Sequence, residues 1–200
     1  MKLISADASP FARKVRVLLH ETGQLGDVEV VAAASTPVNT HPTLAAANPL
    51  GKIPALLRDD GPTLYDSRVI TRYLDARAGS GLYPEARLWE TLTLEATADG
   101  IMDAGVLMVY EARVRPEEKQ FDGWIDAQWG KIAKAVEAVN WRWMSHLAGP
   151  LDMSHIAIGC ALGYLDFRHD ARGWRKGNDA LDDWFAVFCK RDSMKATRPG

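Results

Sequence analysis

Apolar positions in the first 77 residues switch between short runs and helical spacing, whereas those beyond residue 86 fall into long stripes of helical period. Leu3-Ile4 predicts a short strand, and Ser9-Pro10-Phe11 then opens a helix. A serine hydroxyl accepts from free N–H groups at such a start, and proline suits the first helical position. Phe11, Val15, Leu18 and Leu19 share one face, with Arg13, Lys14 and Arg16 directed elsewhere and Gly23 marking the end. Val28 to Val31 predicts a second strand that completes a β-α-β unit, and residues 32–47 read as loop with a short helix. Ala55-Leu56-Leu57 and Thr63-Leu64-Tyr65, joined by Asp59-Asp60-Gly61-Pro62, predict a hairpin. Ser67 to Leu74 follows as a helix. Residues 1–78 are thus expected to form an α/β domain with helices on a mixed sheet of four strands.

Gly79-Ser80-Gly81 and Pro84 lie in an expected linker over residues 79–86, and residues 87–200 read as an all-helical domain. All seven tryptophans lie in that second part. Leu88 to Arg113 predicts one helix, with Gly100 and Gly105 marking a bend or a close helix contact. Pro116-Glu117-Glu118 predicts the start of another, striped by Phe121, Ile125, Ile132, Val136, Val139 and Trp143 and stopped by Gly149-Pro150. Residues 153–165 are apolar nearly all round, as expected of a helix at the centre of a bundle. Leu181, Trp184, Phe185 and Phe188 give a last helix its apolar face.

A net charge of -2 gives no reason to expect nucleic acid or an anionic membrane as partner. No apolar run is long enough to span a bilayer and the N-terminus lacks a signal-peptide pattern, so a cytoplasmic protein is expected. Cys160 and Cys189 stand too far apart in sequence for a redox pair, and His20, His41, His146, His155 and His169 show no metal-ligand spacing. No metal is expected.

The stretch from Asn48 to Ser67 carries the candidate chemistry. Pro54 precedes a strand, where its missing N–H confines it to the first residue. X-Pro bonds adopt cis at modest cost, and a cis bond here turns the N–H and C=O of Ile53 outward, free to pair with a peptide-like ligand. A plain turn before a buried strand accounts for the same residues. At Ser9 the alternatives are a helix cap and a hydrogen-bond donor to a bound group.

Ser-Pro-Phe at the first helix, Asn-Pro-Leu-Gly-Lys-Ile-Pro before the third strand and Asp66-Ser67 opening the third helix are followed by an all-helical part, an order that resembles the cytosolic glutathione transferases. Within that superfamily, residues 98–105 and 161–168 are similar to a bacterial branch.

The resemblance implies a thioredoxin-like first domain, a cis bond at Pro54 and glutathione lying along Ile53. It implies a glutathione site of Ser9, Phe11, Lys52, Ile53, Pro54, Asp66 and Ser67, with Ser9 catalytic. A free thiol has a pKa of about 8.5, and a hydroxyl at a helix N-terminus favours the thiolate. Lys52 suits the glycyl carboxylate, the start of the third helix suits the γ-glutamyl carboxylate, and Asp66 suits the ligand's ammonium. An electrophile pocket of Met102, Val106, Tyr110 and Arg113 and a homodimer in which Asp103 reaches the partner's glutathione are further implications. The expected activity is conjugation of glutathione to an electrophilic small molecule in detoxification. A non-catalytic scaffold on the same fold and a glutathione-dependent peroxidase or reductase remain as alternatives. Serine rather than cysteine at position 9 argues against disulfide exchange. The chain departs from the family pattern where a Ser or Thr capping box precedes an Asp, since Asp152 and His155 take those places.

Overall fold

The computed structural model describes all of residues Met1–Gly200. They divide into two compact units, Met1–Pro84 with Asp192–Gly200 and Glu85–Arg191. The expected division had counted the last nine residues with the helices.

In the first unit, β1 (Lys2–Ser5) is the middle strand of three, parallel to β2 (Glu29–Ala32) and antiparallel to β3 (Ala55–Leu57). The register sets Leu3 against Val30 on one side and Leu56 on the other. The β-α-β crossover, a connection that as a rule is right-handed, runs through α1 (Pro10–Glu21). Leu3, Leu18, Leu56, Ile70 and Leu74 are fully buried, and α1 packs on α3 (Ser67–Ala78). A smaller cluster of Ile4, Ala33 and Ala55 takes in Leu44 of α2 (Pro42–Ala47), the short helix expected before residue 48.

The expected fourth strand is reduced to one pair. Leu56 and Leu64 exchange both backbone hydrogen bonds at 2.9 Å, and the pairing extends no further. Pro62 has no N–H to offer two residues earlier, and Asp66 already caps α3 two residues later. The hairpin and the four-stranded sheet are therefore corrected to a three-stranded sheet with a bridge.

Two of the three basic residues expected to point away from the apolar face of α1 are nevertheless buried. Lys14 has no exposure and Arg13 has 5%. Arg13 is covered by α9 (Asp192–Ala196), a helix with no sequence signal of its own, and donates from Nη2 to the Met194 carbonyl and from Nε to Thr197 Oγ1.

The second unit is a helical bundle of α4 (Leu88–Val114), α5 (Asp122–Arg142), α6 (Met144–Leu147), α7 (Met153–His169) and α8 (Asp179–Phe188). Helix α7 is buried over most of its length against α4. Gly105 is a point of close contact between the two: a Cβ there would meet Tyr164 Cε1 at 3.2 Å, and the Gly105 carbonyl accepts from His169 Nε2 at 2.9 Å. Gly100 has open space beside it, so only one of the two glycines serves the contact.

Helix α5 starts later than Pro116 suggested. Residues 117–119 form a single 3-10 turn, and Gln120 donates to the carbonyls of Ala112 and Arg115 while Glu111 accepts from the Phe121 N–H. Those bonds stop the turn from continuing, and Phe121 remains 67% exposed rather than joining the stripe. The helix also ends at Arg142, before Gly149-Pro150, with α6 as a separate turn between them. No helix is long and apolar enough to cross a membrane.

Candidate active site

The first unit gathers the Asn48–Ser67 stretch and the start of α1. Ser9 has extended backbone and caps α1, its Oγ accepting from the Ala12 N–H at 3.2 Å. A hydroxyl accepts and donates at once, so this cap uses a lone pair and leaves the Ser9 O–H unspent. The cap and the donor role are therefore compatible. Phe11, the second residue of the helix, is half-buried rather than sealed in the core.

Asn48 organises the next loop, and sequence reasoning gave it no role. It is buried; its Nδ2 donates to the Lys52 carbonyl at 2.7 Å, and its Oδ1 accepts from the Leu50 N–H at 3.0 Å. The Gly51 N–H is bonded to the Asn48 carbonyl at 2.9 Å. Gly51 adopts φ 62°, and a Cβ there would meet Thr40 Oγ1 at 2.9 Å, so only glycine fits this corner. An asparagine flanking a proline-glycine turn is the available signal for such a clamp.

The loop delivers Lys52, Ile53 and Pro54 in sequence. The Ile53–Pro54 peptide bond is cis, and Pro54 is buried at the entry to β3. The Ile53 N–H and C=O take part in none of the protein's own hydrogen bonds. Lys52 is exposed and forms no ion pair.

Asp66 caps α3, accepting from the Arg68 N–H at 3.0 Å, and both its oxygens face the Arg68 guanidinium, at 3.3 and 2.8 Å. Burial pushes its carboxyl upward, but the hydrogen bonds and charge of Arg68, with the charge of Lys14, outweigh that and hold it below the usual range. Ser67 is buried at the first helical position, and its N–H and hydroxyl are not used within the fold. An unspent N–H and hydroxyl at the positive end of a 12-residue helix suit an anion. A peptide with a free main-chain segment, an α-carboxylate and a second carboxylate fits the donors and acceptors that these residues leave open.

The remaining expected positions lie on α4 of the helical unit. Met102 is buried, Val106 and Tyr110 are half-buried, and Arg113 and Asp103 are exposed.

The structure also brings His146 beside Asp152 and His155, the pair that stands in the capping-box positions of α7. His146, Asp152 and His155 place one ligand-type atom each within 4.8 Å of one another. Asp152 caps α7: Oδ1 accepts from the Ser154 N–H at 3.0 Å and faces His155 Nδ1 at 2.8 Å, while Oδ2 faces His146 Nε2 at 2.9 Å and Arg87 Nε at 3.1 Å. Nitrogen and oxygen ligands about 2.1 Å from a tetrahedral zinc stand about 3.4 Å from each other. The histidines here sit at hydrogen-bond distance from a carboxylate that already carries an arginine. The arrangement is a hydrogen-bonded helix cap. Burial pushes the Asp152 carboxyl upward, and the hydrogen bonds of His155 and Ser154 with the charges of both histidines more than reverse it, holding the group far below the ordinary carboxylate range.

Comparison with known proteins shows the family. The glutathione S-transferase N-terminal domain matches residues 8–77, and the glutathione S-transferase C-terminal domain matches residues 122–186. The chain is 33% identical, over its whole length and 98% of the other, to the uncharacterized GST-like protein YibF of Escherichia coli (strain K12). It is 47% identical to a glutathione transferase family member from Pseudomonas fluorescens Pf-5 solved with bound glutathione, with a TM-score of 0.97 over 100% of this chain and 98% of that one. A structure of a family member from that organism with bound S-(propanoic acid)-glutathione is 46% identical, with a TM-score of 0.92 over 100% of both chains. The chain belongs to the glutathione S-transferase family. It has the thioredoxin-like first domain and the all-helical second domain of that fold.

Proposed function

We propose that this protein binds glutathione along Ile53, holds its thiol as thiolate at Ser9, and conjugates it to an electrophilic small molecule. The observation that carries the reading is the unspent Ser9 hydroxyl at the N-terminus of α1, whose oxygen is already committed to the cap and so fixed in position. Bound glutathione supplies the nucleophilic sulfur. Ser9 donates to that sulfur and, with the helix dipole, favours its anion; lowering a thiol pKa by two units requires about 2.7 kcal/mol, within reach of one charged hydrogen bond and a helix terminus.

The other residues hold the ligand. Ile53 pairs with the cysteinyl main chain, after Pro54 and with Phe11 alongside, and Lys52 neutralises the glycyl carboxylate. The N–H and hydroxyl of Ser67 take the γ-glutamyl carboxylate, and Asp66 shares its carboxylate between Arg68 and the ligand's ammonium. Met102, Val106, Tyr110 and Arg113 line the electrophile pocket. The protein acts in the cytoplasm as a homodimer, Asp103 reaching the partner's glutathione, and serves detoxification. Glutathione bound to the Pseudomonas relative supports the ligand, and the propanoic acid conjugate in the other structure supports a thioether product.

Calorimetric titration with glutathione, followed by ultraviolet difference spectra against pH, tests the proposal. Saturable binding with thiolate forming well below the pKa of free glutathione is expected. No binding at millimolar ligand overturns it, and binding without early thiolate removes the role of Ser9.

A further inference from the structure

Arg13 and Lys14 are the two lysine or arginine side chains that this fold buries, and Arg13 meets no carboxylate. Its guanidinium spends Nη2 on the Met194 carbonyl at 3.1 Å and Nε on the Thr197 hydroxyl at 3.4 Å, both neutral acceptors. Burying a cation between neutral partners is costly, and an apolar side chain would dock α9 on α1 more stably. What the guanidinium adds is geometry. A planar fork that grips two acceptors fixes direction, where apolar packing fixes only distance.

Helix α9 grips α1 a second time. The Ser193 hydroxyl donates to the Glu21 carboxylate at the last position of α1. The Thr197 hydroxyl donates to the Ser193 carbonyl at 2.8 Å, which ties the two grips together. Residues 13 and 21 stand about 12 Å apart along a helix axis, so α9 holds the helix against both sliding and tilting.

That hold bears on Ser9. The Arg13 N–H donates to the Ser9 carbonyl at 3.0 Å, and the Ser9 N–H donates to the Ala6 carbonyl at 3.0 Å. On the Ala6 side Arg16 closes the loop, Nη1 donating to Asp7 Oδ1 at 2.8 Å and Nη2 to the Asp7 carbonyl at 3.3 Å. Ser9 is thus fastened before and after by arginines of its own helix, one of them anchored on α9. Lys52 and Ile53 instead hang from Asn48, and Ser67 opens α3; the side-chain bonds between α9 and the rest of the unit go to Arg13 and Glu21.

We infer that Arg13 and Thr197 are positioning residues for thiolate formation: through α9 they hold Ser9 where its hydroxyl meets the sulfur, and the ligand binds without them. The inference rests on the transferase reading above.

The test uses the whole 200-residue chain. Calorimetric titration with S-methylglutathione, whose sulfur cannot ionise, reads binding alone, and ultraviolet difference spectra of bound glutathione against pH read the thiolate. Arg13→Met and Thr197→Val are each expected to raise the thiolate midpoint by about one unit, a tenfold loss of anion below that midpoint. Affinity for S-methylglutathione is expected to stay within about twofold. Thr197→Ser keeps the hydroxyl and is expected to match the unsubstituted protein in both readings. A merely structural contact would lower the melting temperature and leave the midpoint alone, and that result overturns the inference. An affinity for S-methylglutathione that falls as far as the thiolate does also overturns it, since the whole unit would then have loosened. Should Arg13→Met not fold, the two Thr197 variants decide. Absence of early thiolate in the unsubstituted protein overturns the transferase reading and this inference together, whereas early thiolate that survives the substitutions removes the positioning role alone.

Discussion

His155 sets its Nδ1 2.8 Å from Asp152 Oδ1 in the first turn of α7, and this pair stands where the family pattern has an aspartate at the later position. The negative charge stands at the cap rather than three residues later, and a ring that meets it takes the later position. Asp152 has no exposed side chain and collects Arg87, Thr91, His146, Ser154 and His155. Asp152→Ala removes the buried charge that these groups share, and is expected to cost about 3–5 kcal/mol of stability in urea unfolding. Asp152→Asn keeps one acceptor and is expected to lose less.

The same carboxylate gives the fold a dependence on acid. Its pKa in the folded state is held below the unfolded value of about 3.9. A lowered pKa adds stability above the unfolded value, and that stability is lost as pH falls from there toward the folded one. The urea midpoint is therefore expected to drop below about pH 4 more steeply in the wild-type protein than in Asp152→Asn.

Ser9→Ala removes both the cap and the proposed donor. The cap is expected to be worth about 1 kcal/mol in thermal unfolding. Glutathione affinity is expected to persist while the thiolate signal moves toward the pKa of the free thiol. Unchanged thiolate formation would show that the helix terminus acts without the hydroxyl.

Asn48→Ala is expected to weaken glutathione binding although Asn48 is placed on no ligand. It removes the bonds to Lys52 and Leu50 that hold the loop before Pro54, at a cost of about 1–3 kcal/mol. Affinity equal to wild type would show that the loop holds its shape through Gly51 and Pro54 alone.

The two glycines of α4 are expected to respond in opposite directions. Gly100→Ala meets nothing within 4 Å and relieves the mid-helix penalty of glycine, a gain of about 0.5–1 kcal/mol. Gly105→Ala presses on the ring of Tyr164 and is expected to lose about 1–3 kcal/mol. Thermal melting of the two variants checks both signs.

Local signals were legible wherever one residue type does one job. Ser9-Pro10 marked the start of α1, Pro54 the entry to β3, Asp66-Ser67 the start of α3, and the unbroken apolar run the buried helix α7. Signals that depend on a distant partner were not. Lys14 and Arg13 look like solvent residues on a helical wheel, and nothing within α1 reveals that the end of the chain covers Arg13. Thr63-Leu64-Tyr65 has the composition of a strand, yet Pro62 and the cap at Asp66 leave it one pair. His146 and Asp152 are separated by a glycine-proline turn, so their approach depends on how that turn closes.

The return of Asp192–Ala196 to the first unit ties the order of synthesis to the order of folding. Arg13 is made 181 and 184 residues before the Met194 carbonyl and the Thr197 hydroxyl that receive its hydrogen bonds. During translation the α/β unit waits through the whole helical bundle with a cation on α1 that lacks its cover. A chain stopped at Arg191 would hold every strand and every residue of the proposed glutathione site, yet would still be missing the lid over its own first helix.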